Sequence, residues 1–510
     1  MSDNELKETL ADAALIFQHP PRTFTSTSTA TTISVLGPFA GAGGCASGPG
    51  PVTLVRQQSR YRLRAKPGLE HNLFFVMGFM EMANAWDFAA NVWNTEPVPV
   101  FATALMALGG TIAGVFSLFT MRDAWLAWHN VCFLREQRRG LLEVRAAWLK
   151  AAPAAPVTDI DAFLEVGRRE LGTELICRFL LDIFMGFGAV LISIGTYMAI
   201  GGRNPTIYEI SNLLSGYVGN APIALVGVLI SVWVVHLFRK AQAHLEAARA
   251  VLPGTRAAEL VRRRTRNVQV WCVTTGVTTI VGGVGSMLTA TRWWGYVILL
   301  PVIASAVFCN VWWRSRVGYA RHDLVGTAGR SVVLGHGGGG TSASMGILDE
   351  LSTALESAAR AEMSVRQNRA APLSGLVSDP TSLAQVVHFL AGEDLLGPYC
   401  ERVANDAKLH AAVCGSTGGF GGPRAEAKEA IEAEADEITL DVGALCKLPE
   451  AVHGAAIERA QELLRDVGTE HFRFRERHAA ELLGSCAYLL QAGIGGDGEK
   501  DGGEESGRRR

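Results

Sequence analysis

Four polar side chains interrupt the first apolar stretch of the sequence, residues 71–93. Carboxyl and amide groups of this kind could bind protons or cations. Glu81 lies near the middle, Asp87 follows about 9 Å further along a helix, and Asn84 and Asn91 complete the row. On a helix, Glu81, Asn84 and Asn91 share one face and Asp87 flanks it. Acids in hydrocarbon are unfavourable unless they are protonated, paired or hydrated, so the row is a candidate intramembrane proton or cation site.

A structural interpretation of the same row stays open. A neutral Glu81 that hydrogen-bonds to Thr or Ser in a later apolar stretch, residues 268–290, would fix helix packing without any transport. The two interpretations predict different responses to loss of the Glu81 charge.

A pair of opposite charges lies in another apolar stretch, residues 175–200. Arg178 precedes Asp182 by four residues, a spacing that places both side chains on one face of a helix. The spacing predicts an intramembrane ion pair, which we interpret as structural because each charge compensates the other.

Motifs for other chemistry are missing from the sequence. The Gly-rich run 335–344 resembles a phosphate-binding loop, but Thr341 stands where such a loop needs Lys. The 9 cysteines form no CxxC pair and no zinc spacing, and no HExxH sequence occurs. We therefore predict neither a cofactor nor a metal site, and an enzyme is the weakest of the functional classes.

Six apolar stretches position these residues. Each approaches the roughly 20 residues of helix that cross a hydrocarbon core of about 30 Å. Tryptophan pairs bracket the last stretch, as in the aromatic belts of membrane proteins. The predicted spans are 71–93, 101–121, 175–200, 222–238, 268–290 and 293–313.

Positive charge is concentrated in alternate segments between the spans. Arg and Lys crowd the segments before span 1, between spans 2 and 3, between spans 4 and 5, and after span 6, whereas the other loops hold only Arg203 and Arg292. The positive-inside rule then places both termini in the cytoplasm, in a plasma membrane or an endomembrane. One dense basic cluster is expected to contact anionic lipids of the inner leaflet. Its members are Arg262, Arg263, Arg264 and Arg266.

The two parts of the chain differ in composition. Residues 1–313 hold 26 Lys+Arg against 20 Asp+Glu and all 11 Trp, whereas residues 314–510 hold 21 against 29 and no Trp. The contrast indicates a membrane region followed by a soluble one. The predicted fold class is an all-α polytopic membrane protein with six transmembrane helices, cytoplasmic N- and C-termini and a helical cytoplasmic C-terminal region.

The predicted domain organisation follows the spans, the charge and the Gly/Ser/Pro-rich runs. Both ends are predicted to be disordered, because they hold too few apolar residues to form a core. The segments are a disordered N-terminal segment at 1–68, transmembrane hairpins at 69–121, 175–238 and 268–313, basic cytoplasmic loops at 122–174 and 239–267, a Gly-rich linker at 314–344, an acidic helical region at 345–492 and a disordered tail at 493–510.

Two functions fit this organisation. The first is a transporter or channel component that uses the intramembrane acidic site at Glu81. The second is a non-transporting membrane adaptor, whose loops and C-terminal region bind cytosolic proteins. The bilayer is the expected partner in both cases, and nothing in the sequence indicates a nucleic-acid partner.

Overall fold

The computed structural model describes most of the chain, and every structural statement below refers to that part. The described ranges are 51–57, 59–64, 68–93, 98–151, 158–202, 204–289, 291–324, 341–417 and 437–501, without the side chains of Asn84, Ala151, 341–345, 414–417 and 494–501. The predicted disorder of 1–50 and 502–510, and the phosphate-loop resemblance of 335–340, lie outside the described residues.

Helices dominate the described chain, as the sequence predicts. The first two are short, and the next five are long. The bounds are α1 (Met80–Asn84), α2 (Phe88–Val92), α3 (Val100–Ala151), α4 (Thr158–Ala199), α5 (Pro205–Val251), α6 (Arg256–Thr289) and α7 (Gly295–Val317).

Five helices, α3 to α7, are long and apolar enough to cross a membrane. The second to sixth predicted spans fall almost entirely within them. α3 runs for 52 residues, about 78 Å, so the helix of span 2 continues into the segment predicted as a basic loop. Three of the five contain a π-helical turn, at Glu174–Leu180 in α4, Leu213–Val218 in α5 and Trp313–Val317 in α7.

The first predicted span differs from a regular helix. Two 3₁₀ turns, Phe75–Phe79 and Ala85–Asp87, alternate with α1 and α2. The tighter turn at 85–87 brings the Trp86 carbonyl against α3 at Gly109, where any Cβ would overlap it. Contacts with α3 and α7 therefore shape this segment more than helical propensity does.

Two small antiparallel sheets depart from the predicted all-α class and from the predicted disorder of 1–68. The first has the order β2 (Arg60–Leu63), β1 (Val52–Gln57), β5 (Glu437–Leu440), and the second pairs β3 (Gly68–Leu69) with β4 (Arg321–His322). β1 alternates apolar and polar residues, and its Val52 and Leu54 enter a hydrophobic core. The sheet forms because this alternation matches the two-residue period of a strand.

The C-terminal region is helical, as predicted for 345–492, apart from β5 and the undescribed 418–436. Its helices are α8 (Thr341–Gln367), α9 (Leu383–Gly392), α10 (Leu396–Asn405), α11 (Ala407–Thr417), α12 (Val442–Cys446), α13 (Glu450–Leu463) and α14 (Thr469–Asp501), with a π turn at Leu464–Gly468.

The last helix joins the C-terminal region to the long helices. α14 packs against α8 on one side and against α4, α5 and α6 on the other. Leu483, Cys486 and Ala487 of α14 are fully buried in a core with residues of α5 and α6. This packing places polar residues of α14 beside those of the long helices.

Candidate functional site

The acidic row predicted in the first span is divided in the structure. Asp87 is 2% exposed. Its carboxylate accepts hydrogen bonds from the Tyr296 hydroxyl (2.7 Å) and from Asn91 Nδ2 (2.9 Å). Glu81 points to a different helix, with Oε1 near Gly282 of α6. The side chain of Asn84 lies outside the described residues. The structure thus brings together Asp87 and Asn91, in a unit that ties the 75–92 segment to α7.

A second polar group, which we name the Arg178 cluster, lies where α3 meets the π turn of α4. It consists of Asp123, Glu174, Arg178 and Asp182. Arg178 Nη2 lies 3.1 Å from Asp123 Oδ1, and Arg178 Nη1 lies 3.0 Å from Glu174 Oε2. Arg178 Nη1 also donates to Asn72 Oδ1 (2.9 Å). These contacts correct the predicted Arg178–Asp182 ion pair, because the guanidinium is bound to two other carboxylates.

Asp182 lies beside Asp123, within reach of a hydrogen bond between the two carboxyl groups. Asp182 is 4% exposed and Asp123 is 0% exposed. Asp182 Oδ2, Asp123 Oδ2, Arg178 Nε and Asn72 Nδ2 are buried, and none has a hydrogen-bond partner among the described residues. Three such atoms in the Arg178 cluster and one in the neighbouring Asn72 are unusual, because nearly all buried polar groups are hydrogen-bonded.

A polar seam between α3 and α4 continues from this cluster. Asp123, Asn130 and Gln137 recur every seven residues on α3, and all three are buried. Asn130 Nδ2 donates to Glu174 Oε2 (3.1 Å), and Gln137 Oε1 accepts from Arg321 (2.7 Å). The seven-residue spacing was visible in the sequence, because it places three polar residues on one helical face.

A cleft opens beside Glu174, between α4, α5, α6, α7 and α14. Its cavity volume is about 70 Å³, and the cleft is partly open to solvent. Leu237, Val268, Trp271 and Trp313 form an apolar wall, and charged residues of α4, α6 and α14 form a polar wall. The π turns of α4 and α7 both line it, and π turns are frequent at functional sites.

The polar wall contains a second buried ion cluster, which we name the Glu481 cluster. It consists of Arg169, Glu170, Arg264, Arg321 and Glu481. Glu481 of α14 lies 2.6 Å from Arg169 Nη2 and 2.5 Å from Arg264 Nη2. The Tyr319 hydroxyl lies within hydrogen-bond distance of both Glu481 (2.9 Å) and Glu170 (2.6 Å), and Arg321 forms an ion pair with Glu170.

Electrostatics keeps Glu481 ionised within this cluster. Burial alone would raise the pKa of Glu481, but Arg169 and Arg264 outweigh burial and lower the pKa to about 2. Burial lowers the pKa of neighbouring His478, which is partly buried, to about 4. Both groups therefore keep one charge state near neutral pH, which makes the Glu481 cluster a fixed contact rather than a proton-binding one.

The predicted basic cluster is also divided. Arg262, Arg263 and Arg266 are exposed on α6. Arg264 is 7% exposed and is bound to Glu481 and to the Arg316 carbonyl. This burial corrects the expectation that Arg264 lies at a membrane surface, since its guanidinium is used inside the protein.

The described residues contain no group of three His, Cys, Asp or Glu side chains that could hold a metal ion. No protein-family model matches the sequence, and no curated protein or solved structure is significantly similar to it. The function must therefore be argued from the geometry of the chain.

Proposed function

We propose that the protein is a multi-pass membrane transporter in which the Asp123–Asp182 carboxyl pair, held by Arg178, binds and releases a proton. One observation supports this above all. Two buried acids from separate apolar helices meet, and each has an oxygen atom without a hydrogen-bond partner among the described residues. The proposal moves the ionisable site away from the first span, where Asp87 is already held by two hydrogen bonds.

Electrostatics explains why this pair is suited to proton binding. Asp123, Glu174 and Asp182 face a single guanidinium, so full ionisation would bury more negative charge than Arg178 compensates. A proton shared by Asp123 and Asp182 reduces this excess and supplies a donor between their free oxygen atoms. Because release of the proton changes the charge facing Arg178, it provides a means of coupling protonation to the arrangement of α3 and α4.

The proposed topology has six crossings. β1 precedes the first span and pairs with β5, which follows α7, so both strands belong on one side of a membrane. Strands on the same side require an even number of crossings, whereas the long helices α3 to α7 number five. The segment 75–92, packed against α3 and α7, supplies the sixth crossing. The concentration of Arg and Lys in alternate segments indicates that the side of the membrane with β1 and β5 is the cytoplasmic side.

The exposed arginines of α6 complete the proposed membrane contacts. Arg262, Arg263 and Arg266 lie on the predicted cytoplasmic side, where anionic lipid headgroups attract basic side chains. Arg264 takes no part in this contact.

An adaptor that binds cytosolic proteins is the second candidate function. The observation that favours it is the separate hydrophobic core that the C-terminal region forms with β1, in which Leu54, Tyr399 and Phe472 are all fully buried. A folded cytosolic region of this kind can bind partners without any transport through the membrane helices.

A pH-step measurement tests the transporter proposal without knowledge of the substrate. Proteoliposomes adsorbed on a solid-supported membrane should give a transient charge displacement when the external pH is stepped, since protons bind within the protein. Asp182→Asn and Asp123→Asn should each abolish the transient. Asp161→Asn is the matched control, because Asp161 lies on the same helix in a partly exposed pair with Arg145.

The variants should first be shown to be folded and monodisperse in detergent. A transient of wild-type size in both Asp182→Asn and Asp123→Asn would overturn the transporter proposal. The adaptor would then be the favoured function.

A further inference from the structure

The cleft beside the Arg178 cluster combines one available carboxylate with an aromatic wall. Trp271 and Trp313 line the apolar wall, with ring centroids 4.7 Å apart. Glu174 also lines the cleft. Indole rings and carboxylates attract the same class of ligand, because both present negative charge to a cation.

We propose that this cleft binds an amphipathic organic cation, which the protein exchanges for the proton on the Asp123–Asp182 pair. The substrate class rests on the proposed function, since exchange requires that this pair releases a proton. The cleft is partly open to solvent, so a ligand can place its cationic group at Glu174 and leave part of its apolar body outside the cleft.

Glu174 is the residue to which the cationic group binds. The Glu174 side chain is 10% exposed, and its contacts with Asn130 and Arg178 both use Oε2. Oε1 is thus without a protein partner among the described residues. A cation at Oε1 gains a charge-assisted contact without displacing an existing one.

The arginines in the cleft wall do not favour an anion instead. Arg264 donates to Glu481 through Nε and Nη2 and to the Arg316 carbonyl through Nη1. Arg169 binds Glu481 through Nη2, and its Nη1 lies 3.3 Å from His244 Nδ1. An anionic ligand would have to compete with a buried carboxylate that is already in place.

A charge count connects the cleft with the proton site. The Arg178 cluster, which shares Glu174 with the cleft, holds three carboxyls against one guanidinium, so a further positive charge is favoured there. A proton on the Asp123–Asp182 pair or an organic cation at Glu174 can supply it, and repulsion disfavours both together.

Two ions of nearly equal size and opposite charge test the substrate class. Tetraphenylphosphonium should bind to the purified wild-type protein in nanodiscs and quench tryptophan fluorescence, whereas tetraphenylborate should not do so at a specific site. Glu174→Gln should weaken tetraphenylphosphonium binding by about tenfold or more, the loss expected for a charge-assisted contact. Glu143→Gln, an exposed acid on α3, is the matched control and should bind normally.

Proton release separates this inference from the proposed function. Calorimetry in buffers of different ionisation enthalpy should show about one proton released for each cation bound at equilibrium, the stoichiometry of an exchange at one site. Asp182→Asn should still bind the cation but release no proton. Because the wild-type measurements require no mutation, a misfolded variant does not affect them.

The outcomes are distinct. Preferential binding of tetraphenylborate, or binding of neither ion, overturns the cation site. The proposed proton site at Asp182 is tested separately by the pH-step measurement and is not affected by that result. Cation binding without proton release overturns the exchange. If both Asp182→Asn and Asp123→Asn also give pH-step transients of wild-type size, the proposed function is overturned as well.

Discussion

The Arg264 guanidinium donates to the Glu481 carboxylate at 3.0 Å through Nε, across 217 positions of the sequence. The contact joins α6 to α14 and makes the C-terminal region part of the wall of the cleft. A change at either residue should therefore alter both stability and access to the cleft.

The first prediction concerns Glu481→Gln. This variant should lower the free energy of unfolding by about 3 kcal/mol, because two buried guanidiniums lose their carboxylate. The pKa of Glu481 is about 2 in the folded protein, below its ordinary value of 4.5. Its stabilisation is then complete above pH 4.5 and is lost as the pH falls towards 2. Unfolding followed by tryptophan fluorescence should show the gap between wild type and variant closing over this interval.

The second prediction concerns Arg178→Met. Removal of the guanidinium leaves Asp123, Glu174 and Asp182 buried without a cation, which should destabilise the protein by about 3–5 kcal/mol. Arg145→Met is the control, because the Arg145–Asp161 pair is about one-third exposed and should contribute at most about 1 kcal/mol. Thermal unfolding in one detergent measures both. Equal stabilities of the two variants would show that the Arg178 cluster contributes no more to the free energy of unfolding than the exposed Arg145–Asp161 pair.

The third prediction uses two glycines of α4. A Cβ at Gly172 would overlap the indole ring of Trp233, whereas a Cβ at Gly167 would meet nothing within 4 Å. Gly172→Ala should destabilise the α4–α5 contact by about 1–3 kcal/mol. Gly167→Ala should be neutral or stabilise the helix by up to about 1 kcal/mol. Thermal unfolding in one detergent measures the stability of both variants. A stabilised Gly172→Ala variant would contradict the packing of α4 against α5.

The fourth prediction concerns topology. Epitope tags inserted after Asn204 and after Gly254 should lie on opposite sides of the membrane, with the first outside and the second in the cytoplasm. A tag at residue 500 should share the side of the Gly254 tag, because α14 packs against α5 and α6. Protease protection in sealed vesicles measures all three, and a protected tag at residue 500 would exclude the proposed six crossings.

Local sequence patterns predicted the elements better than the contacts between them. Apolar length identified the stretches now found in α3 to α7, because burial in lipid or protein requires such runs. The same criterion predicted a regular helix at 71–93, where tertiary contacts at Gly109 and Tyr296 produce 3₁₀ turns instead.

The candidate site was only partly predictable from the sequence. Arg178 has an acid four residues away on each side, and spacing alone could not choose Glu174 over Asp182. The π turn that includes Arg178 also interrupts the ordinary helical period, on which the predicted pair relied. The Asp123–Asn130–Gln137 spacing was available as a signal. No signal in the sequence indicated the partners of Glu481, because Arg169 and Arg264 lie in distant segments.

The most direct test of the central claim is an infrared difference spectrum of the wild-type protein, recorded between acidic and alkaline pH. A carboxylic-acid C=O band from a buried, protonated acid should appear, and it should vanish or shift in Asp182→Asn and in Asp123→Asn while it persists in Glu81→Gln. This pattern is the result expected for a proton shared by Asp123 and Asp182. A band that is unchanged in both Asp variants would contradict the proposed proton site. A band that is lost in Glu81→Gln alone would also contradict it and would place the protonated acid in the first span.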